Sequence, residues 1–244
     1  MSIAENLAQV RAQIAQACQE AGRDASDVGL IAVSKTMPPA LILEAVAAGQ
    51  VQFGENRIEE AALKIPQVGA GTPTPLHWHM IGHIQSRKAK DLLAAPFGLI
   101  HSVDSLKLAQ RLSRLAGETG QVANILLEIN VSGESSKSGL SAFGWEDSPA
   151  LRAALWTEVA QVMSLPHLNL RGLMTMAPYE AEPEATRPVF RALARLRAAW
   201  QADFPAAAWR ELSMGMSNDF AVAIQEGATL VRIGRAIFGD RPAA

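Results

Sequence analysis

Apolar residues in the first part of the chain recur at intervals of four and three. Ile3, Leu7, Val10, Ile14, Ala17 and Ala21 make one stripe, and Gly22 follows it. That spacing predicts an amphipathic helix over 3–21, ended by the glycine. Beyond it the pattern changes. Short apolar runs near 29–34, 51–53, 76–81, 98–101, 122–131, 168–174, 210–213 and 229–233 have the length of buried strands. Between them lie stretches with helical spacing, among them 39–48, 105–116, 150–163, 184–200 and 220–226. A proline at the front and a glycine behind, as with Pro39 and Gly49, suit helix ends.

Eight strands, each separated from the next by a crossover, predict an α/β fold: a single-domain (β/α)8 TIM barrel over 1–244. An open doubly wound sheet is the competing topology. After the eighth strand only Ile237-Phe238-Gly239 and a short tail remain, too little for a full helix. The N-terminal helix is therefore expected to pack on the barrel and cover that seam. The segment 69–75 reads as a loose loop.

Composition narrows the function classes. The chain has 244 residues, of which 49% are apolar and 19% charged, with a net charge of −2. No basic surplus suggests nucleic acid as a partner. The first residues lack the charged and apolar regions of a secretory leader. No stretch approaches the ~18 uninterrupted apolar residues of a membrane span, so a cytoplasmic protein away from the membrane is expected. The single cysteine, Cys18, falls in a helical pattern and reads as a small core residue.

Barrels of this kind place their chemistry at the C-terminal ends of the strands. The first strand would deliver Lys35 there. An amine emerging from an apolar core is partly desolvated, which favours its neutral, nucleophilic form; a strand-end lysine reaching into solvent is the plainer alternative. The second strand delivers Gly54-Glu55-Asn56-Arg57, the seventh Ser213-Met214-Gly215-Met216-Ser217, and the eighth Arg232-Ile233-Gly234-Arg235. The last two segments suit a phosphate, because Gly215 permits close backbone approach and a helix start offers unpaired N–H groups. Ser217 would equally serve as a simple N-cap. His77, His79 and His83 invite a zinc reading, yet no Asp, Glu or Cys lies close in sequence to complete a ligand set. A polar pocket wall is the expectation, and no metal is assigned.

Several motifs then occur in a fixed order: Ala32-Val33-Ser34-Lys35, Phe53-Gly54-Glu55-Asn56-Arg57, His79-Met80-Ile81-Gly82-His83-Ile84-Gln85, Ser136-Lys137-Ser138-Gly139, Arg171-Gly172-Leu173-Met174, Leu212-Ser213-Met214-Gly215-Met216-Ser217 and Val231-Arg232-Ile233-Gly234. In these the chain resembles the pyridoxal phosphate homeostasis proteins, single-domain relatives of the alanine racemase barrel. The resemblance runs from about residue 30 to 239. It implies pyridoxal 5′-phosphate (PLP) as cofactor, held as a Schiff base on Lys35. It implies a phosphate cradle at Ser217 and the Gly234-Arg235 backbone, Arg232 facing the pyridine nitrogen, and Asn56 in the pocket wall. Lys137 matches a second lysine of the family, either an auxiliary contact or an exposed loop residue. Arg87 stands where family members often have Asn, and Arg235 where some relatives have a small or hydroxyl residue.

The function implied is storage, buffering or delivery of PLP without robust catalysis, so no catalytic residue is assigned. PLP-dependent apoenzymes are the implied partners, and a monomer is expected. A weak PLP-dependent amino-acid racemase is the alternative. Its second base would have to be found, since Tyr179 is the only tyrosine and reads as a loop aromatic.

Overall fold

The computed structural model describes residues 1–180 and 182–239. Among these residues nine strands follow one another: β1 (Gly29–Val33), β2 (Gln52–Glu55), β3 (His77–Met80), β4 (Phe97–Val103), β5 (Ala123–Asn130), β6 (Leu140–Ser141), β7 (Leu168–Met174), β8 (Glu211–Ser213) and β9 (Leu230–Ile233). All their pairings are parallel. The order β4-β3-β2-β1-β9-β8-β7-β5, with β4 also paired to β5, closes eight strands into a barrel. The two-residue β6, unanticipated from sequence, lies outside the ring against the end of β5.

Between the strands run α2 (Pro39–Ala47), α3 (Ile58–Ala70), α4 (Ala89–Ala94), α5 (Leu106–Glu118), α6 (Pro149–Met163), α7 (Arg187–Asp203) and α8 (Phe220–Gln225), while α1 (Ile3–Glu20) precedes β1 and α9 (Arg235–Phe238) follows β9. Gly69 and Ala70 thus belong to α3 and not to a loop, because the buried stripe through Ile65 and Val68 carries the helix onward. The helix expected over 184–200 starts later, at Arg187. Pro183–Thr186 form a separate 3-10 turn ahead of it.

The barrel has two apolar compartments. Ile31, Leu99, Leu126, Met174 and Leu230 plug its interior, while a larger core fills the layer between strands and helices. Burial on both faces explains the long apolar runs of β1, β5 and β9, while the polar residues that strands do carry, Glu55, His79, His101 and Arg232 among them, are buried as well. The first helix follows its sequence pattern closely. Ser2 Oγ accepts from Glu5 N–H and Glu5 Oε2 accepts from Ser2 N–H, a capping box. Ile3, Leu7, Val10, Ile14, Ala17 and Cys18 are buried. Asn6 Nδ2 donates to the Ile237 carbonyl at 2.8 Å, tying α1 to the one-turn α9. The N-terminal helix therefore covers the seam where the last crossover is short.

Among the described residues no helix is long and apolar enough to cross a membrane.

Candidate functional site

Lys35 leaves the end of β1 with its neighbours fixed on both sides. The next residue, Thr36, has a φ of 64°, a left-handed conformation that costs a non-glycine residue energy. Its N–H donates to Glu60 Oε1 at 2.6 Å. On the other side Ser34 Oγ donates to Glu55 Oε1 at 2.6 Å. One ammonium joins the two: Lys64 Nζ donates to the Ser34 carbonyl at 2.8 Å, to Glu55 Oε1 at 2.9 Å and to Glu60 Oε1 at 2.5 Å. Glu55 is wholly buried and Lys64 nearly so. Burial pushes the Glu55 carboxyl above its ordinary range, against the opposing pull of Ser34 and Lys64. Sequence reasoning assigned no role to Glu55, Glu60 or Lys64. Lys64 was legible, since it falls on the apolar stripe of α3 with Ile58, Ala61, Ile65 and Val68, where a charge needs a partner.

A cavity of about 500 Å³ opens beside this turn at the C-terminal ends of the strands. That is within the ~300–1,000 Å³ usual for small-ligand sites. Lys35, Asn56, Ser217, Arg232, Gly234 and Arg235 all line it, so every site residue expected from sequence comes together in one place. The Gly82 backbone passes close behind Asn56, and an added Cβ there would lie 2.3 Å from the Asn56 carbonyl oxygen. Ser217 does not cap α8. That position is taken by Asp219, whose Oδ1 accepts from Met216 N–H at 2.6 Å and so shapes the turn carrying Ser217. Burial raises the Asp219 carboxyl, with Met216 N–H and Arg232 pulling it down.

Arg232 is buried in β9. Its Nη1 donates to Ser213 Oγ at 2.6 Å and its Nη2 to the Thr175 carbonyl at 2.9 Å. Burial lowers its pKa to about 10, partly offset by Asp219 and Glu128. The guanidinium is still charged at neutral pH. Glu128, buried on β5, is pushed up to about 7 by burial and by Asp104, while Arg232 and Lys137 pull the other way. Arg235 is exposed at the rim. Lys137 does not line the cavity; its Nζ donates to the Ala177 carbonyl at 3.4 Å, next to the lining residues Met176 and Pro178. Tyr179 borders the mouth and is 83% exposed.

The three histidines of the third strand do not share a pocket wall at this mouth. His77 is exposed at the start of β3, and His83 lies 3.4 Å from Asp104. His79 points into the barrel, where its Nδ1 lies 3.0 Å from His101 Nε2. Among the described residues no three His, Cys, Asp or Glu side chains are placed to hold a metal ion.

Comparison with known proteins places this geometry in a class. The family model described as "Alanine racemase, N-terminal domain" matches residues 5–242. An alanine racemase of Clostridium difficile has the same barrel at a TM-score of 0.69 and 15% identity; the match covers 99% of this chain and 57% of that one. That likeness concerns fold alone. The pyridoxal phosphate homeostasis protein of Pseudomonas aeruginosa is 47% identical over 240 residues, covering 98% of this chain and 96% of that protein. The PipY protein of Synechococcus elongatus, in a structure with PLP bound, is 39% identical at a TM-score of 0.81, covering 98% of this chain and all of that one. The chain belongs to the pyridoxal phosphate homeostasis protein family.

Proposed function

We propose that this chain, as one domain over 1–244, binds PLP on the Lys35 amine and stores, buffers or delivers it in the cytoplasm, without robust turnover of its own. The observation that carries the reading is the gathering of Lys35, Asn56, Ser217, Arg232, Gly234 and Arg235 around one cavity. The donor set suits a phosphorylated aromatic aldehyde: a primary amine, a hydroxyl, backbone N–H groups and a fixed guanidinium. Gly215 adds a requirement for a bare backbone beside Ser217. An added Cβ there would lie 2.6 Å from Ala223 Cβ and 2.9 Å from Phe220 Cα.

When bound, PLP supplies an aldehyde that condenses with an amine, releasing water, and a ring that withdraws electrons. The chain's own residues decide how far that ring is used. The braced turn Ser34–Lys35–Thr36 orients the amine. Ser217 and the Gly234-Arg235 backbone serve the phosphate. Arg232 donates hydrogen bonds only, so it favours an unprotonated ring nitrogen and a weaker electron sink. Racemisation needs a base on each side of the substrate carbon, and Tyr179, largely in water, is poorly placed to be the second. Together these favour carriage over catalysis, with a monomer handing PLP to PLP-dependent apoenzymes.

The test is transfer. The PLP-loaded protein, mixed with a PLP-dependent apoenzyme, is expected to restore that enzyme's activity while exchanging amino-acid α-protons no faster than free PLP. Efficient racemisation by the purified protein contradicts the reading.

A further inference from the structure

A chain of buried polar side chains crosses the barrel interior. It begins at Arg232, which lines the cavity, and ends at His79, which borders a depression at the opposite end of the barrel with Gln52, Gly98 and Asn124. Arg232 Nη1 donates to Ser213 Oγ at 2.6 Å, Ser213 Oγ lies 2.8 Å from His101 Nδ1, and His101 Nε2 lies 3.0 Å from His79 Nδ1. Ser213 and His101 are wholly buried, and Arg232 and His79 nearly so.

Counting donors fixes the direction of this chain. A guanidinium has no acceptor, so Ser213 Oγ accepts from Arg232 and has one hydrogen left to give. If it gives that hydrogen to His101 Nδ1, the His101 proton sits on Nε2 and is donated to His79 Nδ1. Only His79 Nε2 is then left without a protein partner, as it is in the structure. The reverse direction strands the Ser213 hydroxyl hydrogen as well. Two unpartnered buried groups cost more than one, so both imidazoles are neutral with the proton on Nε2. Burial agrees, holding His79 down at about 4 and His101 well below its ordinary value.

We infer that His101 is a positioning residue: through the Ser213 hydroxyl it fixes the Arg232 guanidinium and thereby the donors that Arg232 presents to the cavity. The inference rests on the proposed function only for the ligand. The arrangement of Arg232 belongs to the chain itself and can be read without any cofactor. A protonated His101 could not accept from Ser213, so neutrality of this histidine is part of the device. An aliphatic or phenyl side chain at 101 would strand the Ser213 hydroxyl hydrogen and free Oγ to rotate away from Arg232, whose other anchor is the Thr175 carbonyl.

The experiment is nitrogen-15 NMR of the cofactor-free protein, paired with a pH titration of the absorbance of the PLP-loaded form. In the wild type His101 is expected as the Nε2–H tautomer, with separate Arg232 Nη proton lines from hindered rotation. His101→Phe is expected to average those lines, weaken PLP binding about tenfold and shift the absorbance titration, while Lys35 remains the residue trapped by borohydride. His101→Asn keeps an acceptor near the Nδ1 position and is expected to restore the separate lines. Should His101→Phe not fold, Ser213→Ala removes the same link and carries the same expectations. A proton on His101 Nδ1 overturns the inference, as do Arg232 lines that stay separate in the phenylalanine or alanine variant. Failure of the wild type to load PLP refutes the ligand while the cofactor-free spectra still decide the positioning.

Discussion

Replacing Lys64 with methionine removes the ammonium that joins both flanks of Lys35 and leaves Glu55, fully buried, without its countercharge. Methionine nearly matches the lysine stem, so packing changes little and the electrostatic loss dominates. Removing one partner of a buried ion pair costs about 3–5 kcal/mol. Lys64 Nζ also loses its bonds to the Ser34 carbonyl and to Glu60, which places the expectation toward the upper end. With a urea dependence of about 3 kcal/mol per molar, the unfolding midpoint falls by ~1–2 M. Urea titration followed by tryptophan fluorescence reads it.

The pH dependence gives a sharper signature. Glu55 already has a folded-state pKa above its unfolded value, because burial disfavours the carboxylate. Without Lys64 that pKa rises further. A group raised in this way supports the fold at low pH and loses that support as pH climbs through the folded value. The deficit of Lys64→Met is thus smaller at pH 5 than at pH 8, and Lys64→Met/Glu55→Gln recovers most of it. A midpoint that hardly moves, or a double variant no better than the single one, refutes the brace.

Gly215→Ala places a Cβ 2.6 Å from Ala223 Cβ at a residue whose φ is +93°; it is expected to lose about 1–3 kcal/mol of stability and at least tenfold in PLP affinity, read by urea titration and fluorescence quenching. Glu128→Gln flattens the pH profile of stability. In the parent the carboxyl is raised to about 7 by burial, so up to about 3 kcal/mol of support present below its unfolded pKa is lost as pH climbs past 7; equal slopes between pH 5 and 8 for the two proteins contradict this. Asn6→Ala removes the bond to the Ile237 carbonyl and is expected to cost about 1 kcal/mol by the same titration.

The strands and the N-terminal helix were legible because each carries a periodic or continuous apolar signal strong enough to survive in isolation. Eight runs became eight barrel strands, displaced by a few residues at most. The short strand Leu140–Ser141 was not legible. There Gly139, at φ +112°, lets the chain turn back close to the Glu128 carbonyl so that Leu140 and Ser141 pair with the end of β5. The cavity residues were visible through motifs, but their support was not. His101 and Ser102 interrupt an otherwise apolar strand and Lys64 interrupts an apolar helix face, so local pattern marks them as unusual. What each one touches depends on barrel closure, which brings His101 to Ser213 across more than a hundred residues. Ser217 shows the limit from the other direction: sequence left a phosphate contact and a helix cap both open, and three-dimensional register gave the cap position to Asp219.

The most direct test of the central claim is borohydride reduction of the PLP-loaded protein followed by peptide mass mapping. The added pyridoxyl mass is expected on Lys35, and Lys35→Ala is expected to lose the yellow absorbance together with the adduct. Reduction that labels Lys137 or other lysines and leaves Lys35 unmodified contradicts the account.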